Sequence, residues 1–401
     1  MMQRRGNLPV PSFANKQARS CQQTGSNLPT GWQSLANIVA RTGIYKERNR
    51  KKDMEEEMYM RRCIQLAKNA CCNAAPNPMV GAVIVCDGRI IGEGYHVRCG
   101  EAHAEVNAIR SVKNPSLLSR STIYVSLEPC SHYGKTPPCA DLIIEKQIPR
   151  IVIGCSDPFA KVAGRGIQKL RDAGREVVVG VLEAECRQLI RRFVTFHTRR
   201  RPYITLKWAE SADRFIDRTR TGGTPVILSS PLTAMLAHKR RAEHSAILVG
   251  TRTALLDNPS LDVRHWAGPS PVRAVTDRHL SLPAGLHLLD GSRPTLVFTE
   301  EPHEPCPNLE FLTADYSRDL LPQLLETLHT RGLQSLLVEG GSRLLQSFID
   351  AGLWDEIYVE EAPARLLSGV KAPEIDDKIP YATERFFGRN FRHYTASSDE
   401  E

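Results

Sequence analysis

Thr122-Ile123-Tyr124-Val125-Ser126-Leu127-Glu128-Pro129-Cys130, closed by Cys139, is the stretch that decides the fold. Residues 122–127 form an apolar, β-branched run of strand length. Residues 139–146 have the spacing of a short helix, so the segment reads as strand, loop and helix with a cysteine at each end of the loop. Working outward, a helix is predicted over Tyr59 to Ala70, a strand over Val80 to Cys86 ended by an Asp87-Gly88 turn, and a hairpin partner over Ile90 to Tyr95. A helix over Ala104 to Ser111 should precede the decisive stretch. Strands at Ile151 to Gly154 and Val177 to Gly180, with helices at Cys139 to Lys146 and Gly166 to Ala173, should follow it. An initial hairpin and then strands alternating with helices predict a mixed α/β sheet with helices on both faces.

The pattern restarts after a helical Glu183 to Phe196. Thr198-Arg199-Arg200-Arg201-Pro202 reads as a linker, and apolar strands are predicted at Tyr203 to Trp208, Ala246 to Val249, Val272 to Thr276, Thr295 to Thr299, Ser335 to Val338 and Glu356 to Glu360. Residues 381–401 are too mixed to assign beyond a closing strand near Phe391 to Thr395. Two catalytic-sized domains, 54–198 and 201–401, are therefore expected.

Charge marks a further boundary. The 401 residues carry a net charge of +8, and residues 1–53 hold ten Lys and Arg against two acids, which leaves the remainder balanced. A basic body built for nucleic acid is thereby disfavoured. The first 53 residues read as a disordered basic extension, with a transit peptide as the alternative. Eleven scattered cysteines suit free thiols and metal ligands in a reducing compartment, and no apolar run reaches bilayer length. The expected setting is cytoplasmic, with no membrane partner.

His103-Ala104-Glu105 lies 27 residues before Cys130. One imidazole and two thiolates, His103, Cys130 and Cys139, make three legs of a tetrahedral zinc site with an open fourth position, the arrangement of a catalytic rather than a closed structural centre. An ion so held activates water. Glu105, two residues from a ligand at a helix start, is suited to carry the proton from that water to a leaving amine. His-x-Glu followed by Pro-Cys and Cys is the signature of zinc-dependent nucleoside and base deaminases. Nucleic-acid deaminases mostly close the motif as Pro-Cys-x-x-Cys, whereas eight residues separate the cysteines here.

Those eight, Ser131-His132-Tyr133-Gly134-Lys135-Thr136-Pro137-Pro138, closely resemble the deaminase half of the RibD family, the bifunctional pyrimidine deaminase/reductases of riboflavin biosynthesis. Pro76-Asn77-Pro78-Met79-Val80-Gly81, Gly92-Glu93-Gly94-Tyr95-His96 and Asp157-Pro158 with Val162-Ala163-Gly164-Arg165-Gly166 extend the likeness, which runs from residue 54 to about 375. The resemblance implies a cytidine-deaminase-like first domain in which Asn77, His96, His132, Lys135 and Asp157 line a pyrimidine and ribose-phosphate pocket.

In the second half no Gly-x-Gly-x-x-Gly follows a strand, so a Rossmann fingerprint is absent. Leu336-Leu337-Val338-Glu339-Gly340-Gly341-Ser342 instead runs from a strand through two glycines into a helix reaching Asp350, whose bare amides would suit a cofactor phosphate. With Leu206-Lys207, Arg241 and residues 246–264, this order resembles the RibD reductase domain. The resemblance implies a dihydrofolate-reductase-like α/β fold and NADPH-dependent reduction of a ribosyl group to ribityl.

By the same likeness Lys207, Arg241, Asp257, Arg264 and Glu339 would bind the substrate, the two arginines clamping its phosphate. Ala209, Thr253, Asp257, Gly340 and Gly341 would contact NADPH. One departure stands out: Ser211-Ala212-Asp213 is followed by Arg214 where the family has glycine, and Trp208-Ala209-Glu210 is bulkier than usual. The expected partners are a small pyrimidine ribotide and a second copy of the chain, and no nucleic acid. The competing reading keeps the deaminase but leaves the second half only to bind nucleotide or mediate assembly.

Overall fold

The computed structural model describes residues 50, 52–133, 137–157 and 164–396. Its contacts divide the chain after Tyr59, and the account below concerns Met60–Glu401. Among the described residues no helix is long and apolar enough to cross a membrane.

The first sheet has five strands: β1 (Gly81–Cys86), β2 (Arg89–Tyr95), β3 (Thr122–Leu127), β4 (Arg150–Cys155) and β5 (Glu176–Val179), in the order β2-β1-β3-β4-β5. The β2-β1-β3 pairs are antiparallel and the β3-β4-β5 pairs parallel. Asp87 and Gly88 both take left-handed φ, 49° and 73°, as a two-residue hairpin turn requires.

The central strands are almost wholly apolar, with Ser126 the interior exception, because both faces are covered. One face carries Ala82, Ile84, Ile123, Val125, Ile151 and Ile153. Against it pack helices α2 (Ala104–Ser111), α3 (Cys139–Glu145) and α4 (Arg165–Asp172). On the other face Cys63, from a helix ending at residue 67 (α1, 52–67), donates to the Tyr124 carbonyl. Gly154 there lies against Cys186 of α5 (Glu183–Leu189). A Cβ on Gly92 or Gly94 would stand 2.5 or 2.3 Å from the backbone of Ala108, so these glycines let α2 lie directly on β2.

The expected single helix from Glu183 to Phe196 is two, α5 and α6 (Arg191–Thr198), broken at Ile190. The second sheet has nine strands in the order β11-β10-β9-β8-β12-β6-β13-β16-β15. They are β6 (Tyr203–Glu210), β8 (Ala246–Val249), β9 (Val272–Thr276), β10 (Thr295–Thr299), β11 (Leu309–Thr313), β12 (Ser335–Gly340), β13 (Glu356–Glu361), β15 (Tyr381–Phe386) and β16 (Arg389–Thr395). Strands β7 (Phe215–Asp217) and β14 (Val370–Lys371) pair separately. All neighbours in the large sheet are parallel except the closing β13-β16-β15 hairpin edge.

Ile204, Leu206, Leu336 and Val338 face α9 (Leu320–Thr330) and α10 (Ser342–Asp350). Ile247, Val249, Val275 and Leu337 face α8 (Thr251–Asp257) and the loop through Leu282 and Leu288. The chain leaves β6, builds β8 to β11 outward, and returns as β12 into the slot between β8 and β6. Connections diverge at that slot, which opens a crevice at the C-terminal strand ends.

Candidate active sites

Two helix N-termini and a strand end meet at the first site. His103 is the N-cap of α2, Cys139 opens α3 behind Pro138, and Cys130 follows β3. The His103 Nδ1 lies 3.6 Å from Cys130 Sγ and 3.4 Å from Cys139 Sγ, and all three ligand atoms fall within 4.8 Å of one another. Zn–S and Zn–N bonds of about 2.3 and 2.0–2.1 Å at a tetrahedral angle put N and S about 3.5 Å apart, so both histidine–cysteine distances match a shared zinc. The Cys139 N–H donates to Cys130 Sγ at 3.3 Å. Cys130 is pushed down to about 4 by its hydrogen bond with Cys139 and by His103, while Cys139 is driven up by that same bond and by burial. One thiolate is thus already present, and a cation would displace the remaining proton.

Glu105, on the first turn of α2, is buried against Cys139. Burial first, then the Cys130 charge, raises its carboxyl from 4.5 to about 7. His96, with Asn77 bonded to it, stands beside His103. The Asn77 amide meets His96 Nε2 at 3.0 Å, and His96 Nδ1 meets the Ala102 carbonyl at 3.1 Å. Amide donor on one side and carbonyl acceptor on the other select the neutral Nδ1–H tautomer, in keeping with the downward shift that burial imposes on His96. The His96 ring sits edge-on to His103, centroids 5.4 Å apart.

His132 is exposed on the loop after Cys130. Asp157 is half-buried after β4, where its charge offsets part of the burial that depresses His197. Lys135 lies outside the described residues. A residue that the sequence reading left without a role organises this side. The buried Glu128 carboxylate accepts the backbone N–H groups of Asp157, Gly164, Gly166 and Ile167 at 2.8 to 3.3 Å, and so ties the turn into α4 to the strand end carrying Cys130. A carboxylate written directly before Pro-Cys, where the chain leaves a buried strand, was the available signal.

The crevice of the second sheet holds a cavity of about 440 Å³. Lys207, Ala209, Arg241, Thr253, Asp257, Glu339, Gly340 and Gly341, eight of the nine expected residues of this half, all line it. Arg264 does not. It is exposed and pairs with Asp262 at 3.1 Å. Arg241, from α7 (Pro231–Ala242), is held bidentately by Glu339, with its Nη2 2.6 Å and Nε 3.0 Å from the carboxylate, and its Nη1 donates to the Asp262 carbonyl.

Burial lowers the Lys207 ammonium despite the opposing charges of Glu339 and Glu360. Asp257 pairs with Arg220, which also pairs with Asp217 at 2.6 Å; this arginine in the wall was not anticipated. A Cβ on Gly340 would stand 3.1 Å from Thr253 Cγ2, so the glycine leaves room for the Thr253 side chain between the strand end and α8. Arg214 takes φ 64°, the conformation glycine would hold, and lines a different hollow with Glu210, Glu361 and Arg392, away from the Lys207 cavity.

The cytidine and deoxycytidylate deaminase zinc-binding region matches residues 53–155, and the RibD C-terminal domain matches residues 202–373. The chain thus joins a zinc-binding deaminase region to a reductase-type second half, each carrying one of the two sites. It is 38% identical over 328 residues to riboflavin biosynthesis protein RibD of Aquifex aeolicus, covering 80% of this chain and 90% of that one. To RibD of Bacillus amyloliquefaciens it is 40% identical over 329 residues, 80% of this chain and 87% of that one. The crystal structure of a Thermotoga maritima diaminohydroxyphosphoribosylaminopyrimidine deaminase/5-amino-6-(5-phosphoribosylamino)uracil reductase superposes with a TM-score of 0.78 at 36% identity, covering 86% of this chain and 99% of that chain. The chain belongs to the RibD family.

Proposed function

We propose that this chain catalyses two successive steps of riboflavin biosynthesis: deamination of 2,5-diamino-6-ribosylamino-4(3H)-pyrimidinone 5′-phosphate, then NADPH-dependent reduction of the ribosyl group of 5-amino-6-(5-phosphoribosylamino)uracil to ribityl. The observation that carries this reading is the pairing, in one chain of the family, of a His-Cys-Cys zinc set beside a buried glutamate with a cavity at a parallel-strand crevice. The division is residues 54–198 for the deaminase and 201–401 for the reductase, with 1–53 an extension outside both. We further place the enzyme in the cytoplasm as a homo-oligomer acting on small molecules and not on nucleic acid.

His103, Cys130 and Cys139 hold zinc, which when bound supplies the Lewis acidity that makes water nucleophilic near neutral pH. Glu105, poised near 7, takes the proton of the water and returns it to the leaving amine. Asn77 and the neutral His96 form a fixed polar edge for the ring, and His132, Lys135 and Asp157 complete the ribotide pocket. In the second half Ala209, Thr253, Asp257, Gly340 and Gly341 would hold NADPH, whose nicotinamide would supply a hydride. Lys207, Asp257 and Glu339 orient the open-chain sugar and move its protons. Arg241, fixed in the wall, meets the phosphate, and Arg264 would join it by leaving Asp262.

The test uses metal-analysed protein, the diaminopyrimidine ribotide and NADPH, following ammonia release together with loss of nicotinamide absorbance. Both signals are expected. Ammonia without NADPH oxidation would leave the second half a binding or assembly module, and protein that takes up no zinc would remove the first reaction as well.

A further inference from the structure

Cys71 and Cys72, in the turn after α1, belong to neither site. Their sulfur atoms lie 3.4 Å apart, Cys71 exposed and Cys72 half-buried. They edge a cavity of about 190 Å³ whose wall comes from both halves of the chain, including Phe193, Ser270 and Gln334. Cys72 Sγ is 3.4 Å from where a Cβ on Gly268 would stand. The pair therefore lies on the seam between the turn and the second half, open to small solutes from the Cys71 side.

We propose that Cys71 and Cys72 are a redox-active dithiol that a hydroperoxide closes reversibly to a Cys71–Cys72 disulfide. The Cys71 sulfur attacks the terminal peroxide oxygen, the O–O bond breaks, and Cys71 becomes a sulfenic acid as the remaining hydroxide or alkoxide leaves and collects the Cys71 proton. The Cys72 sulfur then attacks Cys71, the S–S bond forms, and water departs with the Cys72 proton. Two thiols lose two electrons and one peroxide gains them. A bonded pair needs sulfurs about 2.05 Å apart, so closure brings them together by about 1.4 Å.

Local charge favours the first step. The hydrogen bond from Cys72 lowers the Cys71 thiol to about 7, and Lys239 and Arg192 assist against burial and Glu243. Adjacent Cα atoms are closer than the 4.4 Å at which ordinary disulfides begin, so the bridge is strained and readily reduced. Among the described residues the buried thiols outside the zinc set, Cys63, Cys86, Cys155 and Cys186, lack such access.

The experiment takes the zinc-loaded full chain, treats it with a small excess of hydrogen peroxide, blocks remaining thiols with N-ethylmaleimide, and maps the digest by mass spectrometry. The expected result is a peptide containing Cys71 and Cys72 that has lost two hydrogen atoms and takes no label, and that regains two labels after dithiothreitol. In Cys72→Ser the loss should vanish and a Cys71 sulfenate should become trappable by dimedone. Cys71 bridged to any other cysteine, a wild-type Cys71 that accumulates as sulfinic acid beside a free Cys72, or a hydrogen loss that persists in Cys72→Ser would each overturn the proposal.

Discussion

Gly166→Ala tests whether the turn into α4 sets the position of a zinc ligand. A Cβ built at residue 166 stands 2.0 Å from the Pro129 carbonyl oxygen and 3.2 Å from its carbon, with Glu128 Oε1 also at 3.2 Å. Ordinary contact begins near 3.4 Å, so Pro129 and residue 166 must separate by about 1.4 Å. Relaxation is restricted because Glu128 holds Gly166, Gly164 and Ile167 by their N–H groups, and the neighbour of Pro129 is Cys130. Zinc tolerates departures of only about 0.2 Å in its bond lengths. If even a third of the separation reaches Cys130, zinc affinity should fall tenfold or more, by analogy with the loss of a supporting contact, and overpacking should cost about 1–3 kcal/mol. Competition against a chromophoric chelator measures the affinity, and urea unfolding of the metal-free protein measures the stability. Gly285→Ala, where nothing lies within 4 Å, is the control. Zinc binding by Gly166→Ala within twofold of the parent would refute the coupling.

Glu105→Gln should reduce deamination by about 10²–10⁴-fold while zinc content and the reduction of pre-deaminated substrate stay unchanged, read as ammonia release against NADPH consumption. Burial opposes ionisation of Glu356, yet the neighbouring His393, whose Nε2 lies 3.6 Å from the carboxylate, and the charge of Arg191 hold it down to about 2. Because its folded value lies below its unfolded one, its stabilisation is present above about 4.5 and lost as pH falls toward 2. Glu356→Gln should therefore cost roughly 3 kcal/mol near neutrality and progressively less in that acid window, as followed by denaturant titration at a series of pH values. Phe348, fully buried under the second sheet, should cost about 3–5 kcal/mol when changed to alanine, measured by equilibrium unfolding.

The elements legible in the sequence are those whose burial is uniform. The runs at 122–127, 246–249, 272–276 and 295–299 match β3, β8, β9 and β10 residue for residue, because strands covered on both faces carry few polar residues, Ser126 and Arg273 being the interior exceptions. Edges behave oppositely. In β15 every residue except Glu384 is exposed, and β11 is only half-buried, so neither has an apolar run or a clean alternation to read. Helix α7 announces itself by the Ser230–Thr233 capping box and Pro231, yet it buries only Thr233, His238 and Ala242 and shows little periodicity. The clustering of His103, Cys130 and Cys139 was readable because the order and type of such residues are fixed by the chemistry of a metal site. The Arg241–Glu339 pair was not, since its partners are 98 residues apart and only the β12 crossover brings them together.

That pair also changes what the second cavity offers an anion. Of the three arginines in its wall, Arg241 is bound to Glu339 and Arg220 to Asp217 and Asp257, so these two guanidiniums do not stand free for a phosphate. Arg252, among the described residues, donates only to the Arg220 carbonyl, at 3.5 Å. A ligand phosphate gains from Arg241 only what exceeds the carboxylate it displaces or shares, a smaller quantity than a bare guanidinium would give. The exchange has a second consequence. Glu339, once it yields Arg241, faces Lys207, whose ammonium burial already weakens, and such a carboxylate and amine side by side are suited to hand a proton to and from a sugar. On the proposed function, ligand binding and proton handling in this half would be two states of one set of ion pairs, and for that reason the net charge of +8 gives no measure of affinity for a phosphorylated substrate.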